Sequence, residues 1–136
     1  MARDARIELD FADGTYVFRL AWGELALLQE ARDAGPFVIL SRLGGTDWRI
    51  EDISHVIRLG LIGGGMEPVP AAKLVKAYVE DRPPVENLLL AQAVLSAGVI
   101  GAPDEPVASK KKTRRTGLTT SPTEKSGSPA STVPES

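Results

Sequence analysis

The segment ISHVIRLGLIGGG, residues 53–65, is the clearest structural signal in this chain of 136 residues. Its inward-facing residues recur at the i, i+3, i+4, i+7 and i+8 spacing of one helix face: Ile53, Val56, Ile57, Gly60 and Leu61. The glycines at its end can adopt a left-handed C-cap and allow the chain to change direction. The segment therefore predicts an amphipathic helix that ends at Gly63-Gly64-Gly65, with Gly60, Gly63, Gly64 and Gly65 as structural glycines.

Upstream of this helix, residues 6–20 alternate between apolar and polar side chains, as strands do. The residues expected to share the buried face are Ile7, Leu9, Phe11, Tyr16, Phe18 and Leu20. Asp13-Gly14 lies between the two halves and predicts the turn of a β-hairpin. A lone hairpin is too small to be stable, so we expect helices to cover its apolar face.

Three further helices are predicted, over 22–34, from Pro70 to the break at Pro83-Pro84, and over 85–97, with one or two helical turns at 37–43. Trp22 and Trp48 lie at helix entrances, where we expect them to act as packing anchors. The sequence thus predicts an α+β fold, in which an N-terminal β-hairpin packs on a small bundle of four to five helices.

The composition changes after residue 103. Residues 104–136 are rich in Ser, Thr, Pro and Lys and contain few aliphatic residues, so we expect a disordered tail. The predicted organisation is one domain over 1–103 and a basic tail over 104–136. Residues 1–103 hold 10 Lys or Arg against 14 Asp or Glu, so nucleic acid is a poor candidate ligand for the domain. The basic cluster at 110–115 suits a solubilising tail, or at most a weak contact with nucleic acid.

Residues that carry chemistry are scarce. The chain has no cysteine, and His55 is its single histidine, which argues against a metal site or general-base catalysis. The acidic pairs Glu51-Asp52 and Glu80-Asp81 are adjacent in sequence, so they diverge on a helix and are expected at solvated helix ends. The glycine run lacks the Lys-Ser/Thr of a phosphate loop. We therefore predict a non-enzymatic protein with no catalytic, cofactor-binding or metal-binding residues.

The charged first residues and the absence of an 18-residue apolar run predict no secretory signal and no membrane span, and hence a cytoplasmic protein. The last helix carries more aliphatic residues than one inner face needs. We take part of this surplus as a candidate partner surface, formed by Leu88, Leu89, Leu90, Val94 and Leu95. Complete burial of a central helix would explain the same surplus.

The order of these parts resembles a known family. The matching segments are YVFRL at 16–20, WRI at 48–50, LGLIGGG at 59–65 and GAP at 101–103. With this order of elements, residues 5–103 look like the small tail protein of alphaproteobacterial gene transfer agents and related prophages. The 33 residues after Pro103 depart from the family, whose members commonly stop soon after the last helix.

The resemblance implies a tail-assembly chaperone that coats the tape-measure protein until tail tube subunits polymerise around it. The same family is also described as a tail tube component, which would stay in the finished particle. Its implied partners are the tape-measure protein and tube subunits, and weak contacts would gain strength if its own subunits also bound one another as a homo-oligomer. A small adaptor whose tail contacts nucleic acid is the third hypothesis. The family offers no catalytic residues, and its glycines carry over only as structural positions.

Overall fold

A computed structural model of the chain describes residues 4–102. It contains two strands, five α-helices and two short helical turns of other types: β1 (Arg6–Phe11), β2 (Gly14–Arg19), α1 (Trp22–Arg32), α2 (Pro36–Gly44), α3 (Ile50–Gly63), α4 (Pro68–Val75), a π-helical turn (Lys76–Glu80), a 3-10 turn (Pro84–Asn87) and α5 (Leu88–Val99). The predicted α+β class, a hairpin packed on a small helix bundle, is confirmed. The predicted disordered tail lies outside the described residues.

The two strands pair antiparallel, with Ile7 opposite Phe18 and Phe11 opposite Gly14. The predicted turn was displaced by one residue. Ala12 and Asp13 form the loop, and Ala12 adopts a φ of 58° in the left-handed region. Gly14 instead begins β2, while Asp13 accepts a hydrogen bond from the Tyr16 hydroxyl.

Helix α3 lies at the centre of the molecule and contacts β2, α1, α4 and α5. Its predicted inner face is buried, and the large core residues around it come from every other layer, including Phe18, Leu28, Ile39, Val75 and Leu95. Burying side chains of this size on several elements is the main stabilising contribution to such a fold. The helix predicted best from the sequence is thus the one around which the others pack.

The two tryptophans differ in their surroundings. Trp48 is half-buried and packs against the core. Trp22 is 89% exposed, so its prediction as a packing anchor was wrong. Trp22 is the first residue of α1, and the buried residue of this helix is Leu28, six positions further on.

Prolines and a side-chain bond set the path from α4 to α5. Helix α4 begins at Pro68, two residues before the predicted start, and it accommodates Pro70 because the amides of a first helical turn lack intrahelical partners. Beyond the π-helical turn, the Asn87 side chain donates to the Tyr78 carbonyl at 2.8 Å. This bond positions the start of α5 against the preceding turn.

None of the helices in the described part of the chain is long and apolar enough to cross a lipid bilayer.

Candidate partner-binding surface

The glycine run brings the end of α3 against the outer edge of β2. A two-residue turn makes Phe11 and Gly14 a hydrogen-bonded pair, and the bonding alternates along an antiparallel ladder. Val17 and Arg19 therefore turn their carbonyl groups away from β1. A Cβ atom on Gly63 would overlap the Arg19 carbonyl oxygen, and one on Gly64 would overlap that of Val17. Only glycine at both positions lets α3 approach this edge.

The other glycines of the run have separate roles. A Cβ on Gly60 would lie 2.8 Å from Val94 Cγ1 and 3.2 Å from Phe18 Cδ2, at the crossing of α3 with α5 and β2. A Cβ on Gly65 would meet nothing within 4 Å, but Gly65 adopts a φ of +116°, which side-chain-bearing residues rarely adopt. Gly98 was not predicted to be a structural glycine, although a Cβ there would lie 2.8 Å from Leu20 Cβ. Its position within an otherwise apolar helix could have indicated such a close contact.

A buried carboxylate joins three helices. Asp52 is fully buried, which corrects its expected place at a solvated helix end. Its Oδ1 accepts from Arg32 Nε at 2.8 Å, its Oδ2 accepts from the Arg49 backbone N–H at 2.9 Å, and Arg42 Nη1 lies 3.3 Å from both oxygens. These contacts tie α1 and α2 to the first turn of α3.

Burial alone would raise the pKa of Asp52. The hydrogen bonds from Arg32 and Arg49 and the charge of Arg42 more than offset this effect, so the pKa lies below its ordinary value. The carboxylate is therefore ionised at neutral pH and has its bonding capacity filled by protein groups. Such a group is suited to holding helices together rather than to transferring protons.

The single histidine has a local bond. His55 Nδ1 lies 2.9 Å from the Glu51 carbonyl oxygen, one helical turn earlier. Among residues 4–102, no group of three or more His, Asp or Glu side chains converges as a metal site would require.

Only part of the predicted partner surface on α5 is exposed. Val94 and Leu95 are buried in the core, at 1% and 0% exposure, so assigning them to a surface was wrong. Val94 lies against Gly60 of α3, and α5 as a whole packs on α2, α3 and the hairpin, so more than one of its faces is buried. Leu88 and Leu90 are half-buried and pack against the core. Leu89 alone is largely exposed, at 76%.

Leu89 has other exposed apolar residues before and after it in the sequence. Val85, four residues earlier in the 3-10 turn, is 66% exposed, and Ile100 beyond the end of the helix is 58% exposed. No charged residue occurs from Leu88 to Ala102. We call the residues Val85, Leu89 and Ile100 the α5 outer row. Exposed apolar side chains on and beside a helix that lacks charged residues form a candidate contact surface.

Trp22 supplies a second exposed apolar feature, which sequence analysis did not assign to a surface. It lines a hollow of about 230 Å³ with Leu25, Gln29 and Pro36. It also lines an open depression that reaches Gly98 on α5. Tryptophan is among the residues enriched at the energetic centres of protein interfaces. A third groove, of about 290 Å³, lies between α3 and the turns before α5, with Ile50, Ile53 and Val79 among its lining residues.

Comparison with known proteins was made at three levels. No curated protein and no solved structure matches the chain. A family model described as "Phage tail tube protein, GTA-gp10" matches residues 4–103, which includes the whole of the described domain. The match begins before β1, ends just after α5 and includes the glycine run. The chain therefore belongs to this family of phage and gene transfer agent tail proteins.

Proposed function

We propose that this protein is a non-enzymatic tail-assembly protein that binds the tape-measure protein as a chaperone in the cytoplasm. The observation that carries the proposal is the α5 outer row, with Leu89 76% exposed on a helix that has no charged residue. An amphipathic helix of the partner would cover these side chains in the helix-in-groove manner. A tape-measure protein offers a long series of such helices.

The size of the surface fits transient binding. A few exposed apolar side chains, with Trp22 close to the far end of α5, bury less area than the roughly 800 Å² per partner of a stable interface. One copy would therefore bind weakly. Several copies along one long helical partner would bind well together and still be displaced by polymerising tube subunits.

The second candidate is a structural tail component that stays in the particle, and it is favoured by the family description as a tail tube protein. A closed tube needs strands that continue from subunit to subunit. The described residues provide one two-stranded sheet, with one of its edges covered by α3. This architecture favours the chaperone, while the family description favours the tube component.

The deciding experiment is co-purification of the full chain with a fragment of the tape-measure protein from the same gene cluster. We expect binding that Leu89→Asp abolishes and that Leu27→Asp leaves intact, since Leu27 is a 55% exposed leucine of α1 outside the α5 outer row. We also expect the protein to be missing from purified particles. Stoichiometric presence in particles, with no binding to the fragment, would establish the tube component instead.

A further inference from the structure

The two edges of the hairpin differ. The edge of β2 is covered by the glycines of α3, as described above. Along β1, the same alternation turns the backbone groups of Arg6, Glu8 and Asp10 away from β2. The Arg6 N–H accordingly donates to the Asp4 side chain at 3.1 Å. No backbone group of another described element bonds to Glu8 or Asp10. Within residues 4–102, no strand pairs with this edge.

The side chains on the exposed face of β1 and β2 are sorted by charge. At the open end of the hairpin Arg6 lies directly opposite Arg19, an arrangement of like charges that destabilises a strand pair. Arg19 has a carboxylate 3.8 Å away on Asp4, whereas Arg6 forms no ion pair within residues 4–102. Toward the turn the charges are acidic, at Glu8, Asp10 and Asp13.

We propose that β1 pairs antiparallel with β1 of a second copy of this chain, about a two-fold axis at Glu8. In this register Arg6 of each copy lies opposite Asp10 of the other, so the basic end of one hairpin meets the acidic end of its neighbour twice. A two-fold interface requires this kind of self-complementarity. The result is a four-stranded sheet that continues across the two copies.

The inner face supports the same register. Ile7 and Leu9 are both half-buried and pack at the border of the core. Pairing about Glu8 places Ile7 of one copy beside Leu9 of the other, so each covers apolar surface that the single copy leaves open. The two Glu8 side chains then lie opposite each other. Their repulsion weakens the dimer, so removing the charge of Glu8 should strengthen it in this register.

Sedimentation velocity of the full chain over a range of concentrations tests the proposal. We expect a monomer–dimer equilibrium. Glu8→Pro removes only an outward-facing amide, which proline-containing edge strands tolerate, so it should yield a folded monomer.

The charged residues test the register. Arg6→Asp or Asp10→Arg should each raise the dissociation constant of the dimer about tenfold, and the double variant should restore the original dissociation constant. Glu8→Gln should strengthen the dimer, while Glu30→Gln on α1 should leave it unchanged.

Each contrary result overturns the proposal. A monomer at every concentration would show that the charges on β1 keep its edge unpaired, as they do in many proteins. A dimer that persists in both Arg6→Asp and Asp10→Arg would place the interface elsewhere. Weakening by Glu8→Gln would reject this register, and a ring larger than a dimer would reject the two-fold axis. The charge variants keep the test valid if Glu8→Pro fails to fold, since their side chains are exposed.

Discussion

At the scale of single residues, the glycine run is where close packing depends most on the absence of a side chain. Gly64→Ala would force its methyl group into the Val17 carbonyl, and backbone on both sides leaves nothing flexible to move. We expect a loss of at least about 3 kcal/mol in the free energy of unfolding, by analogy with other overpacking changes. Gly23→Ala is the matched control: it has open space around it and adds helix propensity in α1, so the change should be neutral or slightly stabilising. Equal effects in urea unfolding would refute the close approach.

Asp52 carries the other large single-residue effect. Asp52→Asn keeps the shape but removes the carboxylate from Arg42 and leaves Arg32 with only Glu51, 3.9 Å away, although the two arginine side chains are only 16% and 12% exposed. Breaking a buried ion pair by removing one partner costs about 3 kcal/mol or more. Asp81→Asn removes a carboxylate that pairs with the exposed Lys76 and should have no measurable effect. Denaturant unfolding at neutral pH compares the two, and similar losses would mean that burial of Asp52 adds nothing.

At the scale of elements, the spacing of apolar residues predicted where helices and strands form better than it predicted which residues of an apolar helix are buried. The hairpin and α3 were predictable because one of their faces is apolar and the other polar, so burial follows from spacing. Helix α5 is apolar on more than one side, and spacing could not separate the core residues Val94 and Leu95 from the exposed Leu89. Arg42 and Arg32, which pair with Asp52, lie 10 and 20 positions before it in the sequence. Helix and strand spacing does not relate residues that far apart, so this contact could not be predicted.

Two substitutions on α5 separate its inner and outer rows. Leu95→Ala leaves a cavity in the core and should lower the free energy of unfolding by about 2 to 5 kcal/mol. Leu89→Asp places a negative charge in the first turn of α5, where the helix dipole favours it, so stability should be unchanged. In particle-assembly assays Leu89→Asp should nevertheless impair assembly more than His55→Ala. Negligible effects of both on assembly would exclude the α5 outer row as a contact surface.

At the scale of the whole molecule, the two ends of the described domain are bonded to each other. The Ala102 N–H donates to the Asp4 carbonyl oxygen at 2.8 Å, so the segment just after α5 is held beside the start of β1. Leu20 packs against Gly98 at the same end. The Asp52 cluster fastens α1, α2 and α3 elsewhere in the fold. Global unfolding should therefore respond to the ionisation of this one buried group.

The pH dependence follows from the lowered pKa of Asp52. A carboxylate whose pKa is depressed in the folded state stabilises the fold above its unfolded pKa, and this stabilisation is lost as the pH falls through the folded pKa. With an ordinary value of 3.8, the advantage of the native chain over Asp52→Asn should be constant near neutrality and shrink below about pH 3.8. Urea unfolding followed by tryptophan fluorescence from neutral to strongly acidic pH measures this difference. Asp81→Asn should track the native chain throughout, because its partner Lys76 is exposed. If the gap between the native chain and Asp52→Asn stayed constant into strong acid, shape rather than charge would account for the role of Asp52.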